Sequence, residues 1–160
     1  MPRSVTALAA ALSVMLIGPA PVAAQVIRAE LTGPDLVSAE ITPETLAALP
    51  SREVETSFES SKGPQSGRYG GVLLWDIIAA RTALDDDLKA ALRRVVLVTA
   101  SDGHQVAFSI GEIAPEFGNR PIMVGLTLDG APISDGLRMV SPGDARGARY
   151  VKGVVSFEIR

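Results

Sequence analysis

After residue 25 the chain alternates short apolar runs with Gly, Pro and Asp-Gly steps. Residues 26–31 and 37–41 read as strands, the first stopped by Gly33-Pro34. Thr42-Pro43-Glu44 is a helix start: a hydroxyl N-cap, proline in the first turn, then an acid. Leu46 and Leu49 are expected to face inward from that helix, and Pro50 ends it. Residues 53–58 read as a strand. Residues 60–68, rich in Ser, Gly, Gln and Pro, read as a loop. From 72 to 81 the pattern predicts a helix, with Leu73, Ile77 and Ala80 on one face, Leu74 and Ile78 beside it, and Trp75 in the core. A second helical piece opens at Asp85-Asp86-Asp87 and closes at Arg93-Arg94. Acids at its start and bases at its end suit the helix dipole.

The second half is richer in strands. Residues 95–100 form a buried strand, and Asp102-Gly103 turns the chain into 105–109, a hairpin. Residues 110–117 predict a short helical turn, 122–128 a strand closed by Asp129-Gly130, and 137–140 another. Residues 141–147 read as a loop. The last strand spans 151–159, with Val155, Phe157 and Ile159 expected on one face. Many short strands with few helices predict an α+β domain, mixed sheets around one core.

The first 24 residues stand apart. Arg3 precedes an almost wholly apolar stretch, 5–17, and Pro19 and Pro21 break any helix before Val22-Ala23-Ala24. This is the pattern of a secretory signal peptide cleaved after Ala24. The alternative, a membrane anchor, would need roughly 20 apolar residues. The chain is therefore expected to be periplasmic, one domain over 25–160, with no membrane insertion of the mature part. Losing Arg3 takes Lys+Arg from 15 to 14 against 18 Asp+Glu, a net charge of −4. An acidic chain without a basic tract is a poor partner for nucleic acid. There is no cysteine, so no disulfide and no thiolate ligand, and His104 is the one histidine.

Five segments, in order, resemble the molybdopterin-binding domain of sulfite-oxidase-type oxidoreductases. Leu46-Ala47-Ala48-Leu49-Pro50 is similar to the family's short helix. Tyr69-Gly70-Gly71-Val72-Leu73-Leu74-Trp75-Asp76-Ile77-Ile78 resembles its aromatic-x-Gly-Val-x-Leu helix start. Ala100-Ser101-Asp102-Gly103-His104 is similar to its Ser-x-Asp-Gly-Tyr hairpin. Leu128-Asp129-Gly130-Ala131-Pro132-Ile133 resembles its Asn-Gly-x-Pro-Leu turn. The stretch from Gly136 to Asp144, with Arg138 and Pro142, and then Arg149-Tyr150-Val151-Lys152, resembles its Gly-x-x-Arg-Leu-x-x-Pro segment and basic strand. The resemblance runs from about residue 46 to 160 and implies the sulfite-oxidase fold, with a pocket gripping the pterin and phosphate of a molybdenum cofactor. It also implies a metal-binding cysteine in the region matching 56–65, where this chain has Ser57, Glu59, Ser60 and Ser61. A hydroxyl is a poor substitute for a soft thiolate. No metal is therefore expected, and cysteine-free exported relatives of this kind are thought to bind free pterins.

The resemblance also nominates residues. Arg138 offers a guanidinium fork for a phosphate or a pterin carbonyl, or else pairs with Asp135 or Asp144. Asp135 matches a cofactor-contacting Asn and could meet the N–H groups of an amino-pyrimidine. Thr99 and Ser101 end a buried strand and offer hydroxyls, although Ser101-Asp102 also suits plain turn chemistry. Arg149 and Lys152 lie on the basic strand, or on a solvated edge. Ser57 occupies the metal-cysteine region, where Phe58, or Tyr150, could stack on a flat ring, unless they simply pack in the core. His104 is expected on the surface, not in catalysis. Three functions compete: a periplasmic pterin sensor or carrier docking on a receptor domain, a molybdenum oxidoreductase with a non-cysteine ligand, and a ligand-free accessory protein with the same fold.

Overall fold

The computed structural model describes residues 27–34, 36–84 and 86–160. The predicted signal peptide lies outside these residues. Ten strands and four short helices follow in order. Strands β1 (Ala29–Thr32) and β2 (Ala39–Ile41) lead into helix α1 (Pro43–Ala47). The N-cap of α1 is reciprocal. Thr42 Oγ1 accepts from the Thr45 amide at 3.3 Å, and Thr45 Oγ1 accepts from the Thr42 amide at 2.9 Å. Proline at the first position and this box hold a helix only five residues long.

Strands β3 (Ser51–Ser60) and β4 (Gly63–Leu73) form a long antiparallel hairpin paired from Ser51↔Val72 to Ser60↔Gly63. The sequence 60–68 was expected to be a loop, and this is corrected: only residues 61 and 62 turn, and the rest is strand. Ser57, Ser66 and Gln65 are exposed, so apolar residues are not needed for pairing there. The helix expected over 72–81 is shorter. Val72 and Leu73 still pair with β7, and α2 covers Leu74–Ala79. Leu74, Trp75, Ile77 and Ile78 are buried as expected, whereas Ala80 is exposed. Helix α3 (Leu88–Ala91) is capped by Asp87, whose Oδ1 accepts from the Ala90 amide at 3.1 Å.

Strands β5 (Val95–Ala100) and β6 (Gln105–Ser109) are the hairpin that Asp102-Gly103 predicts. Helix α4 (Ile110–Ile113), strands β7 (Met123–Leu128), β8 (Ala131–Pro132) and β9 (Leu137–Val140), a 3-10 turn at Gly147–Arg149 and strand β10 (Lys152–Ile159) complete the chain. The sheet order is β2-β1-β10-β9-β7-β4-β3, with β5 also on β10, β6 beyond β5, and β8 on β7. Strand β10 is shared. Its start pairs with β9, its end pairs in parallel with β1, and β5 runs antiparallel along its other edge. The register shifts between Val154 and Ser156. That bulge turns Val155 outward, 43% exposed, while Val154, Phe157 and Ile159 are buried. The expected face of Val155, Phe157 and Ile159 is thus corrected by one inserted residue.

The main core gathers α1, α2, α4, β1, β5 and β10 around Phe108 and Phe157, both fully buried. Each such side chain contributes about 1.5–3 kcal/mol of burial. A smaller cluster of Tyr69, Met123, Val140 and Tyr150 lies elsewhere, with Val54 and Phe58 against it. On β9, Leu137 and Met139 join the first cluster and Val140 the second, the two-residue period of a strand with both faces covered. Arg138 therefore shares the face of Val140.

Candidate functional site

The nominated residues separate into three places. The first gathers Ser101, Asp135, Arg138 and Lys152 where β5, β9 and β10 meet. Arg138 pairs across to Lys152 on β10 and to Gly125 on β7. It is 9% exposed, and its Nη2 donates to both Asp135 oxygens at 2.7 and 2.9 Å. Its Nε is buried with no hydrogen-bond partner. An orphaned guanidinium N–H inside a protein costs free energy and calls for an acceptor. Asp135, by contrast, is 54% exposed at its side chain.

Beside this pair is a cleft of 110 Å³ lined by Ser101, Ser134, Asp135, Gly136, Gly153 and Val155, among others. Glycines set its shape. Gly136 has φ +111°, and a Cβ there would lie 3.0 Å from the Gly153 Cα. Gly153 has φ +62°, and a Cβ there would meet Ser101 Oγ at 3.1 Å. Both positions use a backbone conformation that side chains disfavour, so the backbone itself forms the wall. The Ser101 amide donates to the Gly153 carbonyl, tying the turn after β5 to β10. Lys152 is exposed.

The second place is the β3–β4 hairpin. Phe58 and Tyr150 do not present free faces to a ligand: they stack on each other, centroids 3.7 Å apart and planes at 23°. Tyr150 Oη and Thr56 Oγ1 share a hydrogen bond of 2.6 Å. Burial raises the Tyr150 pKa, with the Thr56 bond opposing it. Ser57 is exposed and lines a cleft of 880 Å³ with Glu53, Glu55, Arg68 and Asp129.

The third place is a box of two arginines and two carboxylates, of which the sequence had nominated one. Arg149 donates to both Asp144 oxygens at 2.7 Å and to Glu112 at 3.1 and 3.3 Å. Arg120 donates to Glu112 at 2.6 Å, to Asp144 at 3.0 Å and to the Pro142 carbonyl at 2.7 Å. The Arg149 guanidinium also lies over Phe108, 5.0 Å from the ring centre. The Arg149 hydrogen bond first, then Arg120, hold the Asp144 carboxyl below its ordinary range against the effect of burial. Arg149 is correspondingly raised, chiefly by Asp144. Its donors are engaged by acids, so a phosphate would have to displace two carboxylates. Nothing in the spacing of Glu112 and Arg120 announces the box, because Glu112 sits on the four-residue helix α4 and Arg120 in the irregular stretch after it.

Thr99 lies apart from these places. It is half-buried on β5 and accepts from Gln105 at 3.0 Å across the hairpin. His104 is exposed, with a ring nitrogen 2.9 Å from the Ala148 carbonyl.

The residues present do not fit a molybdenum centre. In the 56–65 region Ser57 is exposed and Ser60 Oγ donates to the Gly63 carbonyl at 2.9 Å. Neither is a soft donor. Among the described residues no three His, Cys, Asp or Glu side chains gather as metal ligands. No helix among them is long and apolar enough to cross a membrane.

No protein family and no curated sequence matches the chain. Among solved structures, the sulfane dehydrogenase SoxCD from Paracoccus pantotrophus superposes with a TM-score of 0.68. The match covers 89% of this chain at 17% identity. This chain shares its fold with part of that enzyme. It spans 40% of the SoxCD chain's length.

Proposed function

We propose that this chain is an exported, non-catalytic binding module of the sulfite-oxidase fold that takes a pterin, or a molybdopterin-like heterocycle, beside Asp135 and Arg138. The observation that carries the reading is Asp135, which lines a glycine-walled cleft and holds Arg138, itself outside that lining, whose buried Nε has no acceptor. Asp135 accepts two bonds from Arg138 and keeps lone pairs for the N–H groups of an amino-pyrimidine. The Ser101 and Ser134 hydroxyls, which line the same cleft, can donate or accept. The likeness to part of a dehydrogenase supports the fold on which the reading depends. The cleft falls below the roughly 300 Å³ typical of small-molecule sites. That favours a single ring system over a whole phosphorylated cofactor, as does the occupied Arg149. Oxidoreductase chemistry through a cysteine-type metal site finds no donor here.

The small cleft also favours a second reading, a ligand-free accessory protein. One preparation separates the two. The protein is isolated with its bound small molecules, denatured, and the extract analysed by fluorescence, mass and metal content. A released pterin without molybdenum is the expected result, and Arg138→Ala is expected to retain none. An empty extract, together with no binding of added pterin to the intact protein, overturns the proposal. The mass of the chain recovered from cells tests export: a first residue of Gln25 is expected.

A further inference from the structure

Strand β3 ends the sheet order, and its outer edge has no partner strand among the described residues. In the hairpin, Ser60 faces Gly63 across the two-residue turn, which directs the backbone groups of even-numbered β3 residues toward β4. Odd-numbered residues then direct theirs outward. The Glu59 amide confirms this parity, because it donates away from β4 to the Ala145 carbonyl at 3.0 Å. Glu59 and Arg146 form a parallel bridge there. The loop leaves that edge at once, so the outward amides and carbonyls of Glu53, Glu55 and Ser57 have no backbone partner among the described residues. The edge is open from Glu53 to Ser57, and a short parallel pairing has already begun at one end of it.

The 880 Å³ cleft lies along this stretch. Glu55, Thr56 and Ser57 all line it, although alternate side chains of a strand point to opposite faces, so the cleft reaches the edge itself. Gly143, which precedes the bridge, lines its end. Glu53, Glu55 and Asp129 supply three carboxylates against one cation, Arg68, which already donates to Glu55 at 2.8 Å. We propose that this edge receives an extended, basic segment of a partner protein, added parallel to β3 with Lys or Arg side chains opposite Glu53 and Glu55. Main-chain bonds give such an addition its affinity, and alternate side chains give it selectivity.

Charge selects the occupant. A second copy meeting edge to edge would bring Glu53 and Glu55 against acidic counterparts, the arrangement by which exposed strands avoid self-pairing. Residues 1–26 contain one charged side chain, Arg3, and do not match the acids. The inference does not depend on the pterin reading, since none of these residues lines the Asp135 cleft.

The test uses the full protein and two synthetic peptides, one alternating Lys with Val, the other alternating Glu with Val. Amide hydrogen exchange is recorded for each. The Lys peptide is expected to slow exchange at Glu53, Glu55 and Ser57 at least tenfold, leaving Val54 and Thr56 unchanged, while the Glu peptide does nothing. Ser57→Pro removes one outward N–H without touching the ladder to β4 and should weaken binding about tenfold, whereas Ser57→Ala should not. The double charge reversal Glu53→Lys with Glu55→Lys should exchange the preferences of the two peptides. Binding without the odd-residue protection, or no binding, overturns the proposal. Concentration-dependent self-association through the same amides would assign the edge to a second copy and overturn it equally.

Discussion

Arg138 and Arg149 are two arginines in half-hidden places with opposite circumstances. Arg149 has two acidic partners, and Arg138 has one and an orphaned Nε. Removing one partner of an ion pair is costly when it leaves the other charge buried, but Asp135 is 54% exposed and can be solvated. Arg138→Met is therefore expected to lose ligand while its unfolding free energy, from urea titration, stays within about 1 kcal/mol of the parent or rises. A large loss of stability would show that Arg138 serves the fold. Arg149→Met, by contrast, removes one of the two arginine partners of both Asp144 and Glu112 and should cost about 2–3 kcal/mol. The acids also set a pH dependence. Asp144 has a folded pKa below its unfolded value, so its contribution is full above the ordinary aspartate range and fades as pH falls toward the depressed value. Asp144→Asn should flatten the fall in stability on acidification, measured by denaturant titration at stepped pH. Of these two residues the sequence foretold the Arg138–Asp135 pair as an alternative. It could not foretell the box, because Glu112 and Arg120 reach Arg149 through the folded chain.

Among the elements, those whose pattern is local were legible. Strand β5, strand β6 and strand β9 have the predicted limits, since each is an apolar run between turn signals. Strand β4 was missed: its first residues are Gly, Pro, Gln and Ser, held by backbone pairing on an exposed arm, and its last two read as the start of a helix. Helix α1 was predicted from its cap, and its capping box makes a clean test. Thr42→Ala should cost about 1 kcal/mol in thermal or urea unfolding. Gly71 lies where β4 crosses β7, and a Cβ there would overlap the Val124 carbonyl. That neighbour is backbone and cannot step aside. Gly71→Ala should therefore lose about 3 kcal/mol or leave the protein unable to fold, read by circular dichroism of the soluble fraction. Gly103, with nothing near its missing side chain, differs: its cost is the positive φ alone.

At the scale of the molecule, a mixed sheet with few short helices follows from the alternation of short strands and turns, whereas the connectivity and the second apolar cluster, where one core was expected, do not. No local pattern says that β1 lies parallel to β10, or that one bulge would send Val155 to solvent. The first joins segments more than a hundred residues apart, Glu30 and Ser156, the second joins β10 to β5, and both are decided only when the whole sheet closes. That closure has a consequence for how the sheet comes apart. The eight-residue strand β10 is the seam on which β1, β5 and β9 all depend. Peeling it away would strip three neighbours of their partner at once, so those strands are expected to be released together, as one cooperative unit.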